Sequence, residues 1–342
     1  MNIALDGTPV SDAPHTGIAR YTEQLAAALA ALHPEARITL ESRPRNAGIL
    51  EGRWWSIGLP RRLHEIEATL FHGTDFAVPF MSRSAPSVVT VHDLSPMRAR
   101  EWDMPATAHG VGRRLPGAIR RAAAVITPSE RVKAEVLERF RMAQGKTFVT
   151  PLAAAATFYP RPVTSASEYV LASDYVLYVG SGQRRKNLDL LLRVFGRMRS
   201  RRALRLILVG GEPQMALQSE VTQMAGVSDE HLAQLYSGAA AFVYPSLYEG
   251  FGLPVLEAMA CGAPVITTRE TACGDLAGDA ALLVGGENEQ QLEQALTTVL
   301  ERPALAAELR EKGMARARSF TWQRTAELTW HVYELALQGA RL

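Results

Sequence analysis

The stretch YPSLYEGFGLPVLEAMACGAPVITT, residues 244–268, shows a strand end, a turn, a helix and a second strand in close succession. Pro254 suits the first turn of a helix, because the N–H that it lacks would have no intrahelical partner there. Gly262 is a natural helix stop eight residues later, and APVITT then has the pattern of the next strand. The stretch therefore predicts a strand–helix–strand unit of an α/β protein.

The same alternation continues along the chain of 342 residues. Short apolar runs rich in β-branched residues alternate with segments of helical periodicity, such as residues 18–32 and 187–200. Continuous apolar runs are typical of parallel sheets that are covered on both faces. The predicted strands are MNIALDG, ARITLES, ATLFHGT, SVVTVHD and AAVITPS, then YVLYVGSG, LRLILVGG, AAFVYPS, APVITTR and AALLVGG. The sequence therefore predicts an α/β fold with parallel sheets.

A proline-rich stretch, residues 151–162, separates two halves of this pattern. We expect one Rossmann-like domain over residues 1–165 and a second over residues 166–321, facing each other across a cleft. Residues 322–342 carry apolar and aromatic side chains at helical spacing, which predicts a closing helix that packs back on the first domain.

Composition excludes several classes of protein. Hydrophobic residues make up 47% and charged residues 21% of the chain, which argues against disorder. Two cysteines, Cys261 and Cys273, cannot form a disulfide framework or a cysteine-based zinc site. No apolar run approaches the ~20 residues of a membrane-spanning helix, and MNIALDG does not resemble a secretion leader. We therefore expect a cytoplasmic protein, at most peripheral on the inner face of the cytoplasmic membrane.

Common nucleotide motifs are incomplete. VGSGQRRKN has Gly180 and Gly182, but Arg185 occupies the third glycine position of a dinucleotide fingerprint. Gly-Lys-Thr at residues 145–147 resembles the end of a P-loop, but Phe140 stands where the first glycine is needed. The chain also lacks Asp-x-Asp, G-x-S-x-G and H-E-x-x-H. These absences argue against a nicotinamide site and against the usual nucleotide and hydrolase sites.

The turn before the predicted helix has the chemistry of a ligand site. A helix N-terminus with open backbone amides suits phosphate or sugar oxygens. Glu257, projecting from the first turns, could accept hydrogen bonds from a vicinal diol such as ribose, and Glu249 could meet sugar hydroxyls. For either glutamate alone a non-functional role is favoured, in which Glu257 complements the helix dipole and Glu249 is solvated, but the combined pattern favours a site. The turn residues predicted to bind such a ligand are Gly250, Phe251, Gly252 and Leu253.

EGFGLPVLE resembles the E-x7-E motif of retaining glycosyltransferases of the GT-B fold, in particular glycosyltransferase family 4. Further segments resemble the family in the same order: TGIARYTEQLAAAL, VHDLSP, AAAVITPSERVKAEV, YVLYVGSGQRRKNLDLLLRVF, VSDEHLAQLYSGAAAFVYPS and FTWQRTAELTWHVYELAL. The resemblance implies a nucleotide-sugar donor held mainly by the C-terminal domain and an acceptor held mainly by the N-terminal domain. It also implies that no metal and no further cofactor is required.

The resemblance implies roles for individual residues in donor binding. Arg185 and Lys186 match the basic pair that stabilises the leaving pyrophosphate. Because cations at a helix start oppose the helix dipole, we expect an anion to compensate them. Ser181 stands where some members place another phosphate-binding arginine, which leaves the donor open. Gly17 matches a glycine whose amide approaches the distal phosphate, although an ordinary turn glycine fits as well.

Two histidines end predicted strands. His92 matches the family's histidine near the donor sugar and the reacting centre, and His72 is a weaker candidate. A front-face reaction, in which the leaving phosphate helps to deprotonate the acceptor hydroxyl, depends mainly on positioning. A double displacement would need a carboxylate beneath the anomeric carbon, and the sequence offers no convincing one. The resemblance thus implies a front-face transfer with His92 and Glu249 as the catalytic residues.

Charge is distributed unevenly within a net charge of +2. Residues 1–165 contain 20 basic and 15 acidic residues, against 17 and 20 in residues 166–342. Several arginines lie in residues 98–121, without any nucleic-acid-binding module. One interpretation is peripheral contact with an anionic membrane that presents a lipid-pyrophosphate-linked acceptor, where each cation contributes about 1 kcal/mol. The other is a solvated arginine-rich face.

Taken together, these patterns predict a retaining hexosyltransferase that acts in the synthesis of a surface polysaccharide such as lipopolysaccharide. We expect mannose or a related sugar to pass from a nucleoside-diphosphate donor to a glycan or lipid-linked acceptor. A GDP-hexose is favoured over a UDP-hexose, because QRRKN and the short N-terminal loop resemble mannosyl- and rhamnosyltransferases. The alternatives are a UDP-sugar-dependent enzyme, an epimerase or phosphorylase of the same fold, and a non-catalytic glycan-binding scaffold.

Overall fold

A computed structural model of the chain describes residues 1–12, 16–44, 53–80, 85–104, 106–162, 174–198, 204–211 and 220–339. The chain forms two compact units. The first unit is Met1–Leu152 with Thr321–Leu342, and the second unit is Ala153–Phe320. Within the described ranges each unit contains a six-stranded sheet with parallel pairing throughout. This confirms the predicted α/β fold class.

The strands follow the predicted apolar runs closely. The strands of the first unit are β1 (Asn2–Asp6), β2 (Arg37–Glu41), β3 (Leu70–Gly73), β4 (Ser87–Thr90), β5 (Ala124–Thr127) and β6 (Thr147–Val149). Those of the second unit are β7 (Tyr175–Val179), β8 (Arg205–Val209), β9 (Val221–Met224), β10 (Ala241–Tyr244), β11 (Val265–Thr268) and β12 (Ala281–Val284).

Two strands, β6 and β9, were not predicted from the sequence. The sheet orders are β2-β1-β3-β4-β5-β6 and β12-β11-β10-β7-β8-β9, so both strands lie at an edge. Their sequences are TFV and VTQM, and only the first residue of each is buried. An edge strand has a neighbour on one side only, so a short and partly polar run is sufficient there.

Helices connect the parallel strands, as parallel pairing requires. In chain order they are α1 (Thr8–Asp12), α2 (Gly17–Leu32), α3 (Leu59–Glu65), α4 (Ala106–Arg121), α5 (Glu130–Arg139), α6 (Leu188–Met198), α7 (Asp229–Gly238), α8 (Leu253–Ala260), α9 (Ala272–Ala277), α10 (Glu289–Glu301), α11 (Pro303–Arg318) and α12 (Trp322–Gly339). Within the described ranges, no helix is both long enough and apolar enough to cross a membrane.

The last helix, α12, packs within the first unit, as the sequence predicted. Thr325 Oγ1 donates to the carbonyl oxygen of Pro151 over 2.6 Å. Trp330 stacks on His33 with ring centroids 3.6 Å apart. Three of its side chains, those of Ala326, Thr329 and Tyr333, are fully buried. The helix therefore completes the core of a unit whose other elements end at residue 152.

The segment after Leu152 belongs to the second unit. The ring of Phe158 lies 6.0 Å from that of Tyr236, and the Arg161 N–H donates to Ser237 Oγ. The sequence placed the domain boundary at residue 165, within a segment outside the described residues.

Each sheet reverses its strand order at one place. This switch point lies between β1 and β3 in the first unit and between β7 and β10 in the second. At a switch point the connections leave in opposite directions, which opens a crevice at the carboxyl ends of the strands where ligands bind. The two switch points therefore define where a functional site is to be sought in each unit.

Candidate functional site

The loops after β7 and β10 meet at the switch point of the second unit. Gly210, which follows β8, has φ of +94°, and a Cβ on it would lie 3.0 Å from the carbonyl oxygen of Gly180. A glycine is needed there because of both the positive φ and the close approach. Asn187, also left-handed with φ of 55°, donates through Nδ2 to the carbonyl oxygens of Pro245 and Gly286. These contacts fix the loops in place.

Glu249 lies at the centre of this site, with its side chain 10% exposed. One of its oxygens, Oε1, accepts hydrogen bonds from four side chains. The donors are Lys186 Nζ at 2.5 Å, Ser246 Oγ at 2.7 Å, Tyr244 OH at 3.0 Å and Arg185 Nη1 at 3.2 Å. Within the described part of the chain, the other oxygen, Oε2, has no hydrogen-bond partner. We call Glu249 and its four donors the Glu249 cluster.

The Glu249 cluster keeps its carboxylate ionised. Burial raises the pKa of Glu249, but the charges of Lys186 and Arg185 outweigh burial and lower the pKa to about 2. Burial lowers the pKa of Lys186, and Glu249 opposes that effect. The sequence predicted that an anion would compensate Arg185 and Lys186, and Glu249 is part of that compensation. Glu249 thus supplies one negative charge against the two cations.

The turn and helix of the central motif follow the prediction. Helix α8 begins after Gly252 with Pro254 in its first turn, and Gly262, with φ of +76°, follows its end. Gly252 has φ of +110°, and a Cβ there would lie 2.7 Å from Cys273 Sγ. Cys273 is fully buried and burial raises the pKa of its thiol, so it packs against the turn as a neutral group.

The remaining predicted donor-binding residues of the second unit lie on the same two loops. Phe251 is 7% exposed and its ring packs on Phe320 at 5.8 Å, while Gly250 is buried and Leu253 is half-buried. Ser181 is half-buried, and its carbonyl oxygen accepts a hydrogen bond from Tyr178. Their contacts with a donor stay predictions.

The two glutamates of the motif have different surroundings. Glu257 is 2% exposed, and the hydroxyl of Tyr236 on α7 donates to its Oε2 over 3.4 Å. The sequence predicted a carboxylate that projects from the helix, whereas this side chain lies inside the second unit because α7 covers that flank of α8. Its contact with a ribose stays a prediction.

His92 follows β4 in the first unit. Its Nε2 lies 2.7 Å from the carbonyl oxygen of Thr74, to which it must donate. Burial lowers the pKa of the imidazole, so the neutral form dominates near pH 7. The hydrogen bond at Nε2 leaves the proton off Nδ1, which is therefore the acceptor nitrogen. The rings of Tyr21 and Phe76 meet it edge-on at 4.9 and 5.6 Å.

His72, on the neighbouring strand β3, has a structural role. It is completely buried, and both nitrogens are used: Nδ1 bonds to Tyr333 OH and Nε2 to Thr90 Oγ1, each over 2.7 Å. Burial lowers its pKa to about 3, with a smaller contribution from His92. The weaker of the two candidate histidines thus joins α12 to the sheet.

The switch point of the first unit carries two carboxyl groups that the sequence analysis missed. Asp6 is the last residue of β1 and is 1% exposed, and its Oδ1 accepts a hydrogen bond from the Thr8 N–H. Burial raises its pKa to about 7, and burial with the charge of Asp93 raises the pKa of Asp75 to about 6. The sequence signal for Asp6 was an aspartate at the end of an apolar strand.

Gly17, a predicted donor-binding residue of the first unit, is exposed as the first residue of α2.

Tyr244 and Ser246 were also missed as site residues. Tyr244 ends β10 and has the apolar neighbours of any buried strand, so its hydroxyl gave no separate signal. Besides Glu249, it bonds to Lys186 Nζ over 2.6 Å. Ser246 follows a proline in a loop, where a serine is common.

Comparison with known proteins adds an independent result. Residues 173–302 match the family model described as "Glycosyl transferases group 1", and residues 15–153 match "Glycosyltransferase Family 4". The chain is 28% identical over 298 residues to O-antigen chain mannosyltransferase B of Escherichia coli, covering 81% of this chain and 78% of that protein. It is 30% identical over 278 residues to MMP alpha-(1->4)-mannosyltransferase of Mycolicibacterium hassiacum, covering 74% and 66% of the two chains.

Solved structures show the same fold. Sucrose-phosphate synthase from Thermosynechococcus elongatus matches with a TM-score of 0.78 at 23% identity, over 98% of both chains. WaaG, described as a glycosyltransferase involved in lipopolysaccharide biosynthesis, matches with a TM-score of 0.73 at 17% identity, over 96% of this chain and 98% of that one. At these identities the likeness concerns the fold alone.

Proposed function

Because the chain belongs to glycosyltransferase family 4, the group 1 glycosyltransferases, we propose that it transfers a hexose from a nucleoside-diphosphate sugar to a glycan or lipid-linked acceptor of a surface polysaccharide. The observation that carries the proposal is the Glu249 cluster at the switch point between β7 and β10. Mannose is the preferred sugar and GDP the preferred nucleotide, supported by two relatives whose names describe mannosyltransferases.

The cluster suits the chemistry of a leaving diphosphate. As the bond between the anomeric carbon and the phosphate oxygen breaks, negative charge grows on the diphosphate. Lys186 and Arg185 supply fixed positive charge, which is effective in a site with little water. Glu249 holds both cations in position through Oε1, and its Oε2 can accept a hydrogen bond from a sugar hydroxyl.

We propose a front-face reaction with retention and without a required metal. The acceptor oxygen attacks the anomeric carbon on the face that the diphosphate leaves, and the acceptor proton passes to a phosphate oxygen. Such a reaction needs positioning more than a protein base. His92, neutral and with Nδ1 as its acceptor nitrogen, can orient a sugar hydroxyl and is the second proposed catalytic residue.

The test is a calorimetric titration with GDP, UDP, GDP-mannose, UDP-glucose and NAD in the presence of a chelator. We expect GDP to bind most tightly, and Lys186→Ala to weaken it about ten-fold by removing a charge-assisted hydrogen bond. Arg184→Ala is the matched control, because Arg184 is an exposed cation two residues away and does not contact Glu249. Binding only of NAD, or only with magnesium, would overturn the assignment.

The same panel separates the alternatives. Tighter binding of UDP and UDP-glucose would identify a UDP-sugar-dependent transferase. Nucleotide binding without release of nucleoside diphosphate, with any sugar donor and an extracted glycan acceptor, would identify a non-catalytic scaffold. Consumption of the sugar nucleotide without an acceptor would favour an epimerase or a phosphorylase.

A further inference from the structure

A chain of hydrogen bonds crosses the core of the first unit from the last helix to α2. Tyr333 OH lies 2.7 Å from His72 Nδ1, and His72 Nε2 lies 2.7 Å from Thr90 Oγ1. Thr90 Oγ1 in turn lies 2.9 Å from Tyr21 OH. All four side chains are at most 1% exposed, so water does not compete for these hydrogen bonds. These four side chains, which we call the Tyr21 network, therefore join α12, β3, β4 and α2.

Thr90 is the side chain on which the Tyr21 network depends. Its hydroxyl carries one proton, so it donates to one neighbour and accepts from the other. Burial lowers the pKa of His72 to about 3 and raises the pKa of Tyr21, so both neighbours are neutral near pH 7. Removal of the Thr90 hydroxyl would leave Tyr21 OH and His72 Nε2 without a partner among the described residues. Buried polar atoms without a partner cost free energy, so this one hydroxyl fixes both neighbours.

The α2 end of the Tyr21 network packs on His92, which is half-buried and so remains open to a ligand. The ring of Tyr21 meets the imidazole edge-on with centroids 4.9 Å apart, and the ring of Phe76 does so at 5.6 Å. A rotation of the imidazole would break its Nε2 hydrogen bond to the carbonyl oxygen of Thr74 and move Nδ1 out of its place. The two flanking rings restrict that rotation, so they hold the acceptor nitrogen of His92 in one position.

Tyr21 also connects His92 with the start of α2. Gly17 is the first residue of α2, and Tyr21 follows four residues later on the same face of the helix. The ring of Trp322, at the start of α12, lies 6.3 Å from the ring of Tyr21. Helix α12 thus supports Tyr21 through this ring contact and, by way of the network, through Tyr333. An anchored Tyr21 therefore keeps Gly17, a predicted donor-binding residue, and His92 in a fixed relation.

We propose that Tyr21, anchored through the other members of the Tyr21 network, is a positioning residue for His92. Tyr21 is completely buried, so it acts through His92 and not by contact with the sugar. The inference rests on the proposed hexose transfer, in which His92 orients a sugar hydroxyl, and it makes that step depend on the docking of α12. Orientation matters here, because a misplacement of about 1 Å can slow a reaction roughly 100-fold.

The first test compares two variants that each lose one buried tyrosine hydroxyl. Tyr21→Phe keeps the ring but removes its hydrogen bond to Thr90, and we expect kcat to fall about five-fold with the donor KM unchanged. Tyr175→Phe is the matched control, because its hydroxyl bonds to the carbonyl oxygen of Leu235 in the second unit. The control should lose similar stability in urea and keep its kcat. Equal kcat values for the two variants would overturn the proposal.

Substitutions of Thr90 test the network by rescue. Thr90→Val removes the hydroxyl at nearly constant volume and deprives Tyr21 and His72 of a partner, so kcat should fall further than in Tyr21→Phe. Thr90→Ser retains a hydroxyl and should restore most of kcat. If Thr90→Ser is as slow as Thr90→Val, the hydroxyl is not the anchor and the proposal fails. Should Thr90→Val not fold, Tyr21→Phe and the titration described next still decide the question.

The third test needs no substrate. Nitrogen NMR of protein labelled at histidine, with the His92 signals identified by their loss in His92→Gln, reports the pKa of the imidazole and its protonated nitrogen. In the unaltered protein we expect a proton on Nε2 and a pKa below the ordinary value of about 6.5. Tyr21→Leu removes the covering ring and admits further water, so it should raise the pKa of His92 towards that value and populate both neutral forms. An unchanged titration curve and protonation pattern in Tyr21→Leu would overturn the proposal.

The other ionisable groups that act on His92 are retained in Tyr21→Leu. Among the described residues these are Asp93, which favours the charged form of His92, and His72, which is itself neutral. A rise in the pKa of His92 would therefore report the loss of the Tyr21 ring. If the titration changes as expected but no sugar nucleotide is consumed, the proposed transfer fails while the positioning role stands. If transfer proceeds and neither kcat nor the titration responds to Tyr21, the positioning role alone fails.

Discussion

The two switch points control charge in opposite ways. In the second unit, Glu249 is buried and ionised, because two cations outweigh the effect of burial and hold its pKa near 2. In the first unit, Asp6 is buried and no cation among the described residues pairs with it, and its pKa rises to about 7. His92 shows the same behaviour with the opposite charge, since burial lowers its pKa. Burial alone favours the neutral form of a titratable group, and a buried group stays ionised only when an opposite charge is paired with it.

This difference fits two kinds of ligand. A site with preorganised charge suits a diphosphate, whose own charge grows during the reaction. A site with neutral donors and acceptors suits sugar hydroxyls, which exchange hydrogen bonds without a change in charge.

Glu249→Gln should abolish the charge pairing in the second unit. The amide leaves Lys186 and Arg185 without a counter-charge, and breaking a buried pair costs about 3–5 kcal/mol. We expect transfer to slow roughly 1,000-fold, measured as kcat/KM for nucleotide release. Glu287→Gln, an exposed glutamate of the same unit, is the control and should retain activity. A variant at residue 249 with normal turnover would show that the pairing does not serve catalysis.

His72→Ala should separate structural from functional histidines in the first unit. It removes the two buried hydrogen bonds that His72 makes to Tyr333 and Thr90 and creates a cavity, so we expect a loss of about 3 kcal/mol in the free energy of unfolding. His92→Ala should instead lower kcat and change stability less. Denaturant unfolding and steady-state kinetics on both variants check this. The comparison fails if His72→Ala unfolds at the same denaturant concentration as the unaltered protein.

Asp6→Asn should change how stability depends on pH. The folded form binds the Asp6 proton more tightly than the unfolded form, so its stability falls as pH rises from about 4 to about 7. Asparagine does not titrate, so the variant lacks this pH-dependent loss of stability. Relative to the unaltered protein, we expect the free energy of unfolding of the variant to be about 2 kcal/mol more favourable at pH 8 than at pH 5. The pH dependence that Glu249 gives to stability has the opposite sign. Its stabilising contribution is present at neutral pH and is lost only as the pH falls towards about 2.

Urea unfolding at pH 5 and pH 8 measures the effect of Asp6→Asn. Asp103→Asn, an exposed aspartate of the same unit, is the control. Parallel pH profiles for Asp6→Asn and the unaltered protein would mean that Asp6 is ionised in the folded state.

Tyr244→Phe should give the smallest effect. It removes the hydroxyl between Lys186 and Glu249 but keeps their direct ion pair. We expect GDP affinity to fall several-fold, about 1 kcal/mol by calorimetry. Tyr175→Phe, whose hydroxyl bonds to the carbonyl oxygen of Leu235, should lower stability without changing GDP affinity. Equal GDP affinities in the two variants would exclude a positioning role for Tyr244.

The sequence predicted those features that depend on local pattern. Apolar runs located the inner strands, and Pro254 and Gly262 located the ends of α8. The contacts of the site could not be predicted in this way, because Arg185 and Glu249 are 64 residues apart in the chain. The sequence ranked His92 above His72 as a catalytic residue, but it could not give the structural role of His72, since its partner Tyr333 lies 261 residues away. Local periodicity indicates which side chains are buried, but it does not identify the hydrogen-bond partner of a buried polar side chain.

The hydrogen bond between His72 and Tyr333 has a consequence for biosynthesis. The second unit is one continuous segment, whereas the first unit includes a helix that leaves the ribosome only after residue 321. Domains usually fold in the order of their synthesis. Here the residues of the second unit are complete before α12 is made, whereas the first unit must wait for α12 with its histidine unpaired. The half of the protein that is made first is therefore the half that matures last.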